Sequence, residues 1–138
     1  MTECVLCGSP AGEVRAAEHW RVVVNRNQNL LGKTMLVLRR HAERVVELTD
    51  GEWAELRVLL AEVTARLDAA FSPDHYNCAF LQNADRHVHL HVIPRYASAR
   101  ELGGERFDDP DYPEHYAVPS PVRLVSRETV ELIAAKLA

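Results

Sequence analysis

Cysteine is scarce in this chain, and its count is odd: Cys4, Cys7 and Cys78. Three thiols, two of them in a tight Cys-x-x-Cys, do not make a disulfide framework, and point instead to a reducing compartment with metal or redox chemistry. No apolar run approaches the ~20 residues of a membrane span, so no membrane partner is expected. The opening MTECVLCG has no basic start leading into an apolar stretch, so no secretory signal is expected and the predicted location is cytoplasmic. Basic excess is also missing. The formal net charge is −4 and the pI about 6.0, which argues against a nucleic-acid partner but not against a small anionic ligand. Neither a phosphate-binding P-loop nor a dinucleotide fingerprint is present; Gly103-Gly104 alone reads as a turn.

What remains is an ordinary globular composition, 47% apolar and 26% charged over 138 residues, which is enough for one domain and too little for two. His19 to Asn25 and Thr34 to Leu38 read as strands, separated by a loop over 27–32. From Thr49 to Phe71, apolar residues recur at spacings of three and four, which predicts one long helix. Thr49 and Glu52 form a capping-box pattern at its start, and Ser72-Pro73 ends it. Tyr76 to Leu81 and His87 to Ile93 read as strands joined by a turn at 83–85. Residues 97–121 hold four of the seven prolines and read as a long irregular loop. Pro121 to Val125 reads as a short strand, and Ser126 as the cap of a last helix to Leu137. The order predicts a single α+β domain over 1–138 with an antiparallel sheet, a long helix and a C-terminal helix.

The chemistry concentrates in His87-Val88-His89-Leu90-His91-Val92-Ile93-Pro94. Alternation along a strand would put the three imidazoles on one face and Val88, Leu90 and Val92 on the other. One reading is a solvated strand face. A second is a metal site, but at ~3.3 Å per residue the outer pair lie about 13 Å apart, too far for one ion bound at ~2 Å. A third is nucleophilic catalysis, because neutral imidazole attacks phosphorus well and leaves readily once protonated. Cys4 and Cys7 have the spacing of a zinc knuckle, a redox pair or an unligated pair.

The stretch His87 to Arg95 resembles the signature of the histidine-triad (HIT) superfamily. Thr34 to His41 is similar to the family's strand ending in Pro-Lys-x-His, here without the proline, and the long helix falls where the family has one. The resemblance spans about residues 4 to 96. It implies that His89 is a nucleophile attacking the α-phosphorus of a nucleotide and that His91 helps bind the attacked phosphate. It implies nucleotide contacts for Asn25 (ribose), for Asn77 (phosphate region) and for Asn83, which stands where the family commonly has Gln. Histidine rather than glutamine at position 91 resembles the hydrolase and phosphorylase branches, with water or phosphate as acceptor. AMP, diadenosine tetraphosphate or a nucleoside phosphoramidate are the implied ligands, and a homodimer the implied assembly. A nucleotide-binding regulatory module without turnover is the alternative, because Ala84 stands where a small or hydroxyl side chain often meets the leaving group, flanked by the charges of Asp85 and Arg86. Some members bind a structural zinc; here the implied ligands are Cys4, Cys7, His41 and His87.

Several other residues carry simple expectations. Cys78 reads as a small buried residue, and Trp53 as core or dimer interface. Trp20 reads as strand packing or a base-stacking platform, and Arg95 as a phosphate contact or a solvent-facing charge. His115 sits in a loop that either reaches substrate or packs on itself.

Overall fold

The computed structural model describes residues 4–8 and 12–138. Pro10, placed by the sequence in a turn-rich lead-in, lies outside them. Five strands form one antiparallel sheet: β1 (Glu13–Ala16), β2 (Trp20–Val24), β3 (Thr34–Leu38), β4 (His75–Ala79) and β5 (His89–Arg95), in the order β1-β2-β3-β5-β4. Helix α1 (Asp50–Phe71) carries the chain from β3 across to β4 at the sheet edge, and α2 (Arg127–Leu137) closes the fold.

The two sheet faces follow from register. Leu36 pairs with Val22 on one side and Leu90 on the other. That face meets Leu56, Leu59, Val63, Leu67 and Phe71 of α1 and Val130, Ile133 and Leu137 of α2 in one buried cluster. Each such side chain contributes roughly 1.5–3 kcal/mol on burial. The capping box is formed: Thr49 Oγ1 accepts from the Glu52 N–H at 3.1 Å and Glu52 Oε1 from the Thr49 N–H at 2.8 Å. Glu52 also binds Arg40, whose guanidinium holds its carboxyl down at about 2. Ser72 ends α1 in the left-handed region at φ 49°, with Pro73 behind it.

The opposite face carries Arg21, Val23, Met35, Val37, His89, His91, Ile93, Arg95 and Asn77, in register across four strands. Leu6, Val23 and Val37, with Cys4 and Met35, form a small second core there.

Three expectations change. The 97–121 segment is not wholly irregular: Arg100–Leu102 (β6) and Glu105–Phe107 (β7) make a hairpin turned by Gly103 and Gly104, both at positive φ. Its one fully buried anchor is Phe107, too weak a pattern to read beforehand. The Pro121–Val125 strand reduces to a single bridge from Leu124 to Asn27. β1 falls in a segment with mostly exposed, polar positions and no apolar periodicity. Trp20 is fully buried, its Nε1–H donating to the Glu52 carbonyl at 2.8 Å, which removes it as a base-stacking platform. Among the described residues no helix is long and apolar enough to cross a membrane.

Candidate active site and metal cluster

The histidine row divides. β5 begins at His89, so His87 lies just before the strand, where its neighbour Val88 bonds through its N–H to Ala42 and through its carbonyl to Leu38 N–H. His89 and His91 stay together, ring centroids 4.8 Å apart and edge to face. The His87 ring instead lies 5.2 Å from that of His41. The expectation of three imidazoles in one row is therefore met by two, because the alternation starts one residue pair later.

His89 is buried, and its Nδ1 lies 2.6 Å from the His87 carbonyl oxygen. A carbonyl can only accept, so Nδ1 carries the proton. A neutral ring held in this way presents the lone pair of Nε2. His91 is half-buried, and burial, followed by the nearby charges of His89 and Lys33, lowers its pKa to about 4, with Asp85 opposing. At neutral pH it is an uncharged imidazole with one N–H to donate.

Around this pair, Asn25 follows β2 on the same face and is half-buried, its Oδ1 accepting from Asn27 N–H at 2.9 Å. Gln28, fully buried, donates to the carbonyls of Asn25 and Lys33 (2.6 and 2.9 Å) and accepts from Gly32 N–H at 2.7 Å. It fixes the loop between β2 and β3. Gly32 sits there at φ +88°, where an added Cβ would come within 3.0 Å of Leu67. Asn77 faces the same side, with its Oδ1 occupied by Arg95 Nη1 at 2.8 Å. Asn83 is exposed on the loop between β4 and β5, as are Ala84, Asp85 and Arg86.

Arg95 is neither solvent-facing nor open to phosphate. It is buried and binds Asp109, itself buried, at 2.7 Å, with further bonds to Asn77 and the Glu114 carbonyl. It straps the segment after β7 onto the sheet. His115 is exposed, its Nδ1 bonded to the carbonyl of its neighbour Tyr116. Cys78 is exposed on β4, the edge strand, and Trp53 is 42% exposed beside Phe80, so neither belongs to the core.

The metal-ligand set assembles. One donor atom from each of Cys4, Cys7, His41 and His87 lies within 4.8 Å of the others. Cys4 Sγ and Cys7 Sγ stand 3.3 and 3.5 Å from His87 Nδ1, Cys7 Sγ is 3.3 Å from His41 Nδ1, and the two Nδ1 atoms are 3.2 Å apart. Tetrahedral bonds of about 2.0–2.3 Å would separate their donors by roughly 3.3–3.8 Å. The other His87 nitrogen, Nε2, donates to the Leu38 carbonyl, which leaves the Nδ1 lone pair for the cluster. The donors fit a divalent ion by both spacing and tautomer.

A family model described as "HIT domain" matches residues 9–98, and the chain belongs to the HIT family. It is 25% identical over 111 residues to "Protein hit" of Bacillus subtilis, spanning 72% of this chain and 76% of that one. Over 79 residues it is 33% identical to an adenosine 5'-monophosphoramidase of Schizosaccharomyces pombe, spanning 52% of this chain and 55% of the relative. Among solved structures, a histidine triad protein of Sinorhizobium meliloti matches with a TM-score of 0.74 and 22% identity, covering 91% of this chain and 85% of the other. A hypothetical histidine triad nucleotide-binding protein of Sulfolobus tokodaii matches with a TM-score of 0.73 and 19% identity, covering 97% and 89%. The α+β architecture is that of these neighbours.

Proposed function

We propose that this HIT protein is a nucleotide hydrolase in which His89 Nε2 attacks the α-phosphorus of a purine nucleotide. The observation that carries this reading is the His89 Nδ1–H bond to the His87 carbonyl, which leaves Nε2 as the nucleophilic lone pair beside His91. As the N–P bond forms, the bond from phosphorus to the leaving group breaks and its electron pair departs with that group, which takes up a proton from solvent when it is an amine. The positive charge arising on the imidazole is shared with the His87 carbonyl oxygen. His91, neutral, donates its N–H to a phosphate oxygen. Water then forms a new P–O bond, the N–P bond breaks, and AMP and a proton are released.

Asn25 is assigned to the ribose hydroxyls, Asn77 to the phosphate region, and Asn83 to a further nucleotide contact from the loop before β5. Asn77 keeps its amide N–H donors for that role, since its oxygen serves Arg95. The leaving group is a nucleoside polyphosphate or an amine; the phosphoramidase relative supports the second. The cluster of Cys4, Cys7, His41 and His87 is assigned to zinc. Four protein donors leave no open position, so the ion would act as a structural clamp. His87 then contributes twice, by its ring to the cluster and by its carbonyl to His89. A homodimer joined along the β4 edge is supported by the exposed Trp53 and Cys78 on that side.

The test is AMP release from diadenosine tetraphosphate and from adenosine phosphoramidate, by the wild type and His89→Ala. Turnover that requires His89 supports the proposal. Tight AMP binding with no His89-dependent turnover would make the chain a binding module. Formation of ADP in the presence of inorganic phosphate would make it a phosphorylase.

A further inference from the structure

The histidine face holds a cation that the chemistry above does not use. Lys33 directly precedes β3, two residues before Met35, the partner of His91, which places its backbone one row from that imidazole along the sheet. Its backbone carbonyl accepts from Asn25 N–H at 3.0 Å. Lys33 thus stands between the residue assigned to ribose and the residue assigned to phosphate.

The residue is only 7% exposed. Nζ donates to Asn29 Oδ1 at 2.7 Å, and among the described residues that is its one hydrogen-bond acceptor, with no carboxylate within ion-pair distance. The two other cations of this face are already paired: Arg21 with Glu13 at 3.0 Å and Arg95 with Asp109 at 2.7 Å. A buried ammonium with one neutral partner carries a desolvation cost that an arriving anion would offset. Burial accordingly lowers the Lys33 pKa, and its charge reaches His91 strongly enough to help hold that ring neutral. A nucleotide's α-phosphate is anionic, and a neutral His91 can offer it a proton but no charge.

We infer that Lys33, held by Asn29, is the cation that binds the α-phosphate oxygens beside His91. The assignment rests on the nucleotide reading of the site. It makes Lys33 a substrate-binding residue, with Gln28 and Gly32 as the residues that fix its backbone.

The experiment compares AMP with adenosine, which differ by the phosphate, in calorimetric titrations of the wild type, Lys33→Met, Lys33→Gln and Lys33→Arg. Loss of a charge-assisted contact predicts about thirty-fold weaker AMP binding in the Met and Gln variants, with adenosine unchanged within about two-fold. Lys33→Arg should keep most of the AMP affinity. Equal losses for AMP and adenosine would mean that Lys33 shapes the nucleoside pocket, and would overturn the inference. Unchanged AMP affinity in both charge-removing variants would overturn it as well. Should Lys33→Met not fold, Lys33→Gln retains a polar end for Asn29 and gives the same reading. A wild type that binds no AMP and turns over no adenylated substrate would instead remove the nucleotide reading, and this inference with it.

Discussion

On one face of the sheet, Leu36, Leu38, Leu90 and Val92 meet two helices through hydrocarbon alone. On the other, His87, His89, Lys33 and Arg95 are buried too, each with a named hydrogen-bond partner. Burial is comparable, but the rules differ. Apolar packing degrades gradually when a methylene is lost, whereas a buried polar group depends on one specific partner. The helix-covered face therefore sets stability, and the histidine face trades stability for groups that are dry, oriented and able to act on a ligand.

The largest effect should come from His89. His89→Ala is expected to lower AMP release by at least about a thousand-fold, or roughly 4 kcal/mol of barrier, in a steady-state assay. Next, Asp109→Ala should cost about 3–5 kcal/mol in denaturant unfolding by stranding buried Arg95, while Arg95→Met with Asp109→Leu should recover most of that. Leu67→Ala on the helix-covered face, a cavity of the ordinary kind, offers the contrast: about 2–5 kcal/mol with no pairing change able to rescue it. A chelator, or Cys4→Ser, should lower the melting temperature by about 5–10 °C and release one equivalent of zinc, measured by metal analysis. His87→Ala should lose the metal and His89→Ala keep it.

The two faces should also part company with pH. The His91 pKa is about 4 in the folded chain and about 6.5 when unfolded, so the unfolded state binds more protons between those values. Stability from this ring is present above about pH 6.5 and is lost as pH falls toward 4, at most about 3 kcal/mol. Glu52, on the helix-covered side, is held at about 2, so its contribution stays until pH falls below the ordinary carboxylate range. Unfolding followed against pH should show the histidine-face loss first, and His91→Asn should remove the part of it that this ring contributes. The smallest effect expected is Thr49→Ala, which deletes the cap of α1 for about 1 kcal/mol without touching AMP turnover.

The sequence made the helix-covered face readable because its signals are local and repetitive. β3 spans Thr34–Leu38 as the apolar run indicates, and α1 starts at the capping box. The metal-ligand set was legible through the family resemblance, and its four donors do meet. The misses share another cause. Arg95 depends on Asp109, fourteen positions on in a segment without periodicity, so nothing near Arg95 announces its burial. His87 fits the alternation, yet the strand begins at His89 and the backbone before it turns the ring toward Cys4 and His41. Lys33 directly precedes an apolar strand, and counting back from Met35 would have put it beside the histidine row. Its lack of a carboxylate partner is visible only in three dimensions.

Catalysis by His89 requires a covalent bond between phosphorus and this central imidazole. Mixing the protein with diadenosine tetraphosphate, quenching in alkali within one turnover and sequencing the peptides by mass spectrometry would locate that bond. One adenylyl group on His89, absent from His89→Ala, is the predicted result. Turnover at the wild-type rate in His89→Ala, or an adenylyl group on any other residue, would contradict it.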